Sequence, residues 1–162
     1  MAGKKDMTLH IGVRLSGSLD AANHPAVTAV YDQLDSNPPG NRVVAANGDI
    51  DLNEMDFDGK IHNRKVDITF SLSGNIQGGS GQSLRFHFPP DPAEAIVVKY
   101  KGKPTTDGMT PRAGANEMSL VLDDENRARR KYEYCLNVLV ATAGPGNHVT
   151  CVLDPLIVNR WQ

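Results

Sequence analysis

The feature that most limits the fold of this chain is a two-residue rhythm of apolar side chains that recurs along its length. Leu9, Ile11, Val13 and Leu15 alternate with Thr8, His10, Gly12 and Arg14. The rhythm returns in Val66, Ile68, Phe70 and Leu72, and again in Leu84, Phe86 and Phe88. Met118, Leu120 and Leu122 repeat it, as do Tyr132, Tyr134, Leu136, Val138 and Val140. Successive side chains of a strand point to opposite faces, so each run describes a strand with one buried and one wet face.

Strands with a single apolar face need a second layer to cover it. The rhythm therefore predicts an all-β fold, an antiparallel two-sheet sandwich of Greek-key, immunoglobulin-like type with seven to eight strands. Strands are expected at residues 7–15, 65–72, 83–88, 95–100, 117–122, 130–142 and 148–158, the stretch 130–142 being the longest. Asn37-Pro38-Pro39-Gly40-Asn41, the glycine-rich stretch 74–82, Pro89-Pro90-Asp91-Pro92 and Asp123-Asp124-Glu125-Asn126 separate them. Residues 101–116 are polar, contain Pro104, Gly108, Pro111 and Gly114, and read as a long loop. Two readings stay open for 16–48. A short helix capped by Asn23, with Pro25 in its first turn, would put Ala26, Val27, Val30 and Leu34 on one face. A strand through 27–31 is the alternative.

A chain of 162 residues suits one domain, 1–162, with residues 1–6 as a flexible N-terminus. A domain of this size buries roughly 70% of the surface its unfolded chain exposes, enough for a core without disulfide or metal staples. The net charge of −2 speaks against a nucleic-acid partner. No apolar run approaches the about 20 residues that cross a bilayer, so no membrane partner is expected. The opening Met1-Ala2-Gly3-Lys4-Lys5-Asp6 lacks the apolar stretch of a secretory signal, and a cytoplasmic location is expected. Cys135 and Cys151 are then read as reduced, inert thiols, not a disulfide.

Residues 124–138, with Tyr132 and Tyr134, resemble the penultimate-strand region of immunoglobulin-like sandwiches, where a corner tyrosine bonds to backbone upstream. The acidic turn at 123–126, the run Tyr132-x-Tyr134-x-Leu136-x-Val138 and the closing Asp154-Pro155-Leu156-Ile157-Val158-Asn159-Arg160 resemble small bacterial single-domain proteins of the DP-EP family, over residues 84–160. That resemblance implies a β-sandwich, no settled activity and no catalytic residues.

The stretch 49–59 carries the densest oxygen donors. Asp49, Asp51, Asn53, Asp56 and Asp58 are candidate ligands for calcium, which takes six to eight oxygens, often from alternate positions. An EF-hand would need Gly at 54 and Glu at 60, where this chain has Glu54 and Lys60. The simpler reading, with Ile50 and Leu52 inward and the carboxylates in solvent, is preferred. His10, His24, His62, His87 and His148 form no close pair, though His10 and His87 fall on outward faces. Arg127, Arg129, Arg130 and Lys131 form a basic cluster beside acidic residues and read as a solvated turn. Trp161 is the candidate interaction residue, since aromatic side chains are enriched at the centres of interfaces. No nucleophile–base spacing is present. The first reading is thus a non-catalytic binding module whose partner is another protein or a second copy of itself, without a cofactor. A calcium- or carbohydrate-binding domain is the alternative, and an enzyme comes third.

Overall fold

The computed structural model describes residues 3–127, 130–142 and 146–158. The chain is mostly β, arranged as two sheets with mostly antiparallel pairing. Its strands are β1 (Lys5–Leu19), β2 (Pro25–Asn37), β3 (Ile50–Asp51), β4 (His62–Gln77), β5 (Ser83–Leu84), β6 (Phe86–His87) and β7 (Ile96–Tyr100). They continue as β8 (Lys103–Pro104), β9 (Met109–Ala113), β10 (Ser119–Asp124), β11 (Lys131–Ala141), β12 (His148–Leu153) and β13 (Leu156–Val158). One turn of helix, α1 (Pro92–Ala95), and a 3-10 turn at Leu52–Glu54 complete the described elements. The first sheet has the order β2-β1-β4-β10-β9, with β5 also on β4. The second runs β3-β13-β11-β7-β8, with β12 and β6 also on β11.

Alternation places the core where the sequence puts it. Leu9, Ile11, Val13 and Leu15 of β1, Val66, Ile68 and Phe70 of β4, and Tyr132, Tyr134, Leu136, Val138 and Val140 of β11 are all buried. Phe70 of the first sheet meets Tyr134 of the second with ring centroids 5.5 Å apart. Each such side chain is worth about 1.5–3 kcal/mol relative to exposure, so the shared interior holds the layers together.

Several expectations are corrected. Residues 25–37 form β2, not a helix: Val30 and Leu34 turn outward, 37% and 58% exposed, while Tyr31 enters the core. Asp20 takes the amides of Ala22 and His24, and Asn23 sits at a positive φ of 62°, which turns β1 into β2 before Pro25. Residues 101–116 are not one loop but hold β8 and β9. Both are sheet-edge strands containing proline, which needs no ladder donor at an edge. The chain changes sheets within 83–88, since β5 pairs with β4 and β6 with β11. Asp154 and Pro155 split 148–158 into β12 and β13. The strand at 130–142 is not the longest: β4 has 16 residues and β11 has 11. β1 and β4 run parallel, because the chain passes through β3 of the second sheet between β2 and β4.

Candidate functional site

The wet face of the first sheet gathers the chain's polar side chains into neighbouring rows. Across the parallel β1–β4 pair, Thr8 stands beside Asp67, His10 beside Thr69, Gly12 beside Ser71, Arg14 beside Ser73, Ser16 beside Asn75 and Ser18 beside Gln77. Strand alternation fixes this face, because every residue between these buries its side chain or is glycine.

At one end of the face two carboxyl groups oppose each other. Asp67 of β4 and Asp123 of β10 are directly paired across an antiparallel ladder. Both carboxyl groups lie on the wet face, and each bears on the other's titration. Arg112 of β9 donates Nε–H to both Asp123 oxygens, at 3.3 and 3.0 Å. Lys65 Nζ lies 3.5 Å from Asp67 and 3.7 Å from Asp6. Burial, then the hydrogen bond and charge of Asp123, raise the Asp67 carboxyl above the ordinary range. Burial also works against charge on Asp123, but the hydrogen bond from Asp67 and the contacts with Arg112 outweigh it and hold that carboxyl low. The carboxylates around Lys65, Asp123 foremost, hold its ammonium charged.

In the middle of the face His10 Nε2 and Ser71 Oγ are 2.7 Å apart. Among the described residues no carboxylate orients the other ring nitrogen of His10, so the pair lacks the third member that activates a serine. Leu34 lies over Gly12, where an added Cβ would come within 3.2 Å of it. At the far end Arg14, Ser16, Ser18, Asn75 and Gln77 line an open trough of about 580 Å³, together with Leu15, Gly17 and Gly74. Gly17 and Gly74 both take positive φ, 137° and 102°.

Part of the acidic stretch builds local structure. Asp51 caps the 3-10 turn, taking the backbone amide and the side-chain amide of Asn53 at 3.0 Å each. Asp49 takes a hydrogen bond from Asn47, and Asp58 one from the Lys60 amide. Asp49 and Asp51 share a hollow of about 440 Å³ with Arg42 and Lys131. Asp56 is exposed. Among the described residues no three His, Cys, Asp or Glu side chains are grouped to hold a metal ion. Ile50 and Leu52 are buried.

Of the histidines, His87 and His148 line one hollow with Arg85 and Glu117. His24 pairs with Asp20 and His62 is buried. His87 gives its Nδ1 proton to the Phe88 carbonyl at 2.7 Å. Of the basic cluster, Arg127 pairs with Glu125, while Arg130 pairs with Asp107 and lies over the Tyr100 ring, 4.6 Å from its centroid. Arg129 and Trp161 lie outside the described residues.

Both cysteines are free. Cys135 donates its thiol to Asp154 at 2.7 Å, and burial together with that bond pushes the thiol up to about 11. Iodoacetamide at pH 8 should therefore alkylate Cys135 slowly, and Asp154→Asn should speed the reaction several-fold, read by mass spectrometry. Equal rates in the two proteins would show that Asp154 does not hold the proton.

Sequence reading alone missed Asp67, Asp123, His10–Ser71 and the trough. Each of these residues sits in the outward phase of a strand, but the pairing of β1 with β4 and of β4 with β10 joins segments far apart in the chain. No protein-family model matches the chain, and no curated protein matches it.

Proposed function

We propose that the chain is a non-catalytic binding module that takes a hydroxyl-rich ligand of polysaccharide type along the wet face of its first sheet. The trough lined by Arg14, Ser16, Ser18, Asn75 and Gln77 carries this reading. Serine hydroxyls and Asn and Gln amides both donate and accept, as sugar hydroxyls do, and Arg14 adds five donors for an acidic group. All five side chains are exposed. The test is native gel electrophoresis through a panel of neutral and acidic polysaccharides. At least one should retard the protein. The triple variant Arg14→Ala, Asn75→Ala, Gln77→Ala should bind about tenfold or more weakly, since each lost hydrogen bond costs about 0.5–1.5 kcal/mol. Retardation that the triple variant does not change removes the trough from the proposal, and an unretarded wild type removes the ligand class.

A second reading is self-association through the outward face of the second sheet. Val152, 55% exposed, pairs with Asn137 on that face, two residues from half-buried Leu139. Light scattering at high concentration should then find a dimer that Val152→Asp dissolves. We also read the two sheets as a Greek-key, immunoglobulin-like sandwich. The crossing from β5 to β6 supports it, and the parallel β1–β4 pair departs from it.

A further inference from the structure

We propose that Asp67 and Asp123 hold one proton between them in mildly acidic solution, and that its loss loosens the β9–β10 hairpin from the first sheet. The register favours a shared proton. Like charges directly opposite each other on a ladder repel, and an ionised carboxylate only accepts hydrogen bonds, so the two carboxyl groups can bond to each other only with one hydrogen between them. Register fixes the encounter, because Asp123 is the direct partner of Asp67 and both point to the same face. Asp67 Oδ1 is shut away from solvent, and its charged neighbour is the Lys65 ammonium 3.5 Å away. That one cation also serves Asp6, so an ionised Asp67 directly opposite an ionised Asp123 is only partly compensated.

The surroundings set the sign. The charged groups facing the pair are Asp6 from β1, Lys65 from β4 itself and Arg112 from β9. With the pair fully ionised this cluster holds three negative and two positive charges. With one proton present it is balanced. Arg112 holds the charge on Asp123, so the proton rests on Asp67. Asp67 binds its proton more tightly folded than unfolded. Its stabilisation is therefore complete below the ordinary aspartate value and fades as pH rises through the raised, folded one. Asp123 behaves in the opposite way: its contribution is present above the ordinary value and is lost as pH falls through the lowered one. Between the lowered folded value of Asp123 and the raised folded value of Asp67 the pair carries one proton and the latch is closed. The hairpin it secures is an edge of the sheet, joined to the rest through the six-residue β10–β4 ladder.

Two measurements on the full chain test this. Carboxyl carbon NMR of the wild type from pH 2 to 8 should show two steps that belong to the pair, one above and one below the ordinary aspartate range. Thermal melts of Asp67→Asn and Asp123→Asn should then move in opposite directions. Asn at 67 imitates the protonated acid at every pH and can donate to Asp123, so it should raise Tm at pH 7 by roughly 2–4 °C, a gain that disappears near pH 4. Asp123→Asn removes the anion that Arg112 holds and should lower Tm at pH 7 by a similar amount. Hydrogen exchange, corrected for intrinsic rate, should show β10 amides losing protection as pH rises through the upper of the two NMR steps in the wild type but not in Asp67→Asn. Two independent titrations at ordinary aspartate values, or an Asp67→Asn variant less stable than wild type at pH 7, would overturn the proposal.

Discussion

The Gly74→Ala variant is expected to lose about 3 kcal/mol or more of stability, a fall in Tm of roughly 6–12 °C for a chain of this size. Two costs coincide at this position. Gly74 has φ of +102°, a conformation that side-chain-bearing residues rarely adopt. An added Cβ would also stand 2.0 Å from the Leu15 carbonyl oxygen and 2.7 Å from the Leu15 nitrogen. Those atoms are backbone of β1, directly opposite Gly74 in the parallel pair, and cannot swing aside as a side chain would. Relief requires β1 and β4 to part, and their inward faces carry Leu15, Leu72 and Ile76 of the core. Gly81→Ala is the control. Gly81 also has positive φ, +81°, but nothing lies within 4 Å of its added Cβ, so only the backbone strain of about 1 kcal/mol applies. Chemical denaturation of the two variants separates contact from conformation. Equal losses would mean that the approach of β1 to β4 is not what requires glycine at 74.

What the sequence revealed follows from the distance over which its signals act. Alternation is local, so the inward residues of β1, β4, β10 and β11 were legible one strand at a time. Turn chemistry is local as well, and the Asn-Pro-Pro-Gly break and the acidic turn were visible. Edge strands were not. β9, Met-Thr-Pro-Arg-Ala, has a polar face, a proline and only one buried residue, Met109, so it carries the composition of a loop. Its strand character comes from β10 alone, which supplies the ladder that the segment's own residues do not announce. β2 was ambiguous for a related reason. Its outward Val30 and Leu34 match the spacing of a helix face, and only pairing with β1 turns Tyr31 inward. The candidate site depended still more on partners. The Asp67–Asp123 pair and the His10–Ser71 contact each join residues about 60 apart or nearly so in the chain, a separation that no periodicity encodes. The acidic stretch shows one spacing serving two ends: Asp51 and Asn53 have calcium-loop spacing, and the same spacing builds an Asx cap on a 3-10 turn.

Truncating Tyr134 should produce the second large effect and separate ring from hydroxyl. Tyr134→Ala is expected to cost about 3–5 kcal/mol, because the ring is fully buried and packs on Phe70, so its loss leaves a cavity between the sheets. Tyr134→Phe keeps the ring. It removes a 2.7 Å hydrogen bond to the carbonyl of Gly48, a residue 86 positions earlier in the chain. Gly48 is buried, so its carbonyl would be left without that donor at a cost of about 1–3 kcal/mol. Burial first, then the nearby Tyr31 and Asp49, hold the Tyr134 hydroxyl far above its ordinary range, so it remains a donor at every working pH. Tyr31 supplies the opposite case. Its hydroxyl is also buried but has no hydrogen-bond partner among the described residues. Tyr31→Phe therefore removes a desolvated polar group that returns nothing and should leave stability unchanged or raise it by up to about 1 kcal/mol. The two Tyr→Phe changes delete the same atom from neighbouring sites, so their difference in urea denaturation isolates the bond to Gly48. If Tyr134→Phe melts with the wild type, ring packing alone fixes residues 41–48 against the second sheet, and the resemblance of Tyr134 to a corner tyrosine has no energetic content.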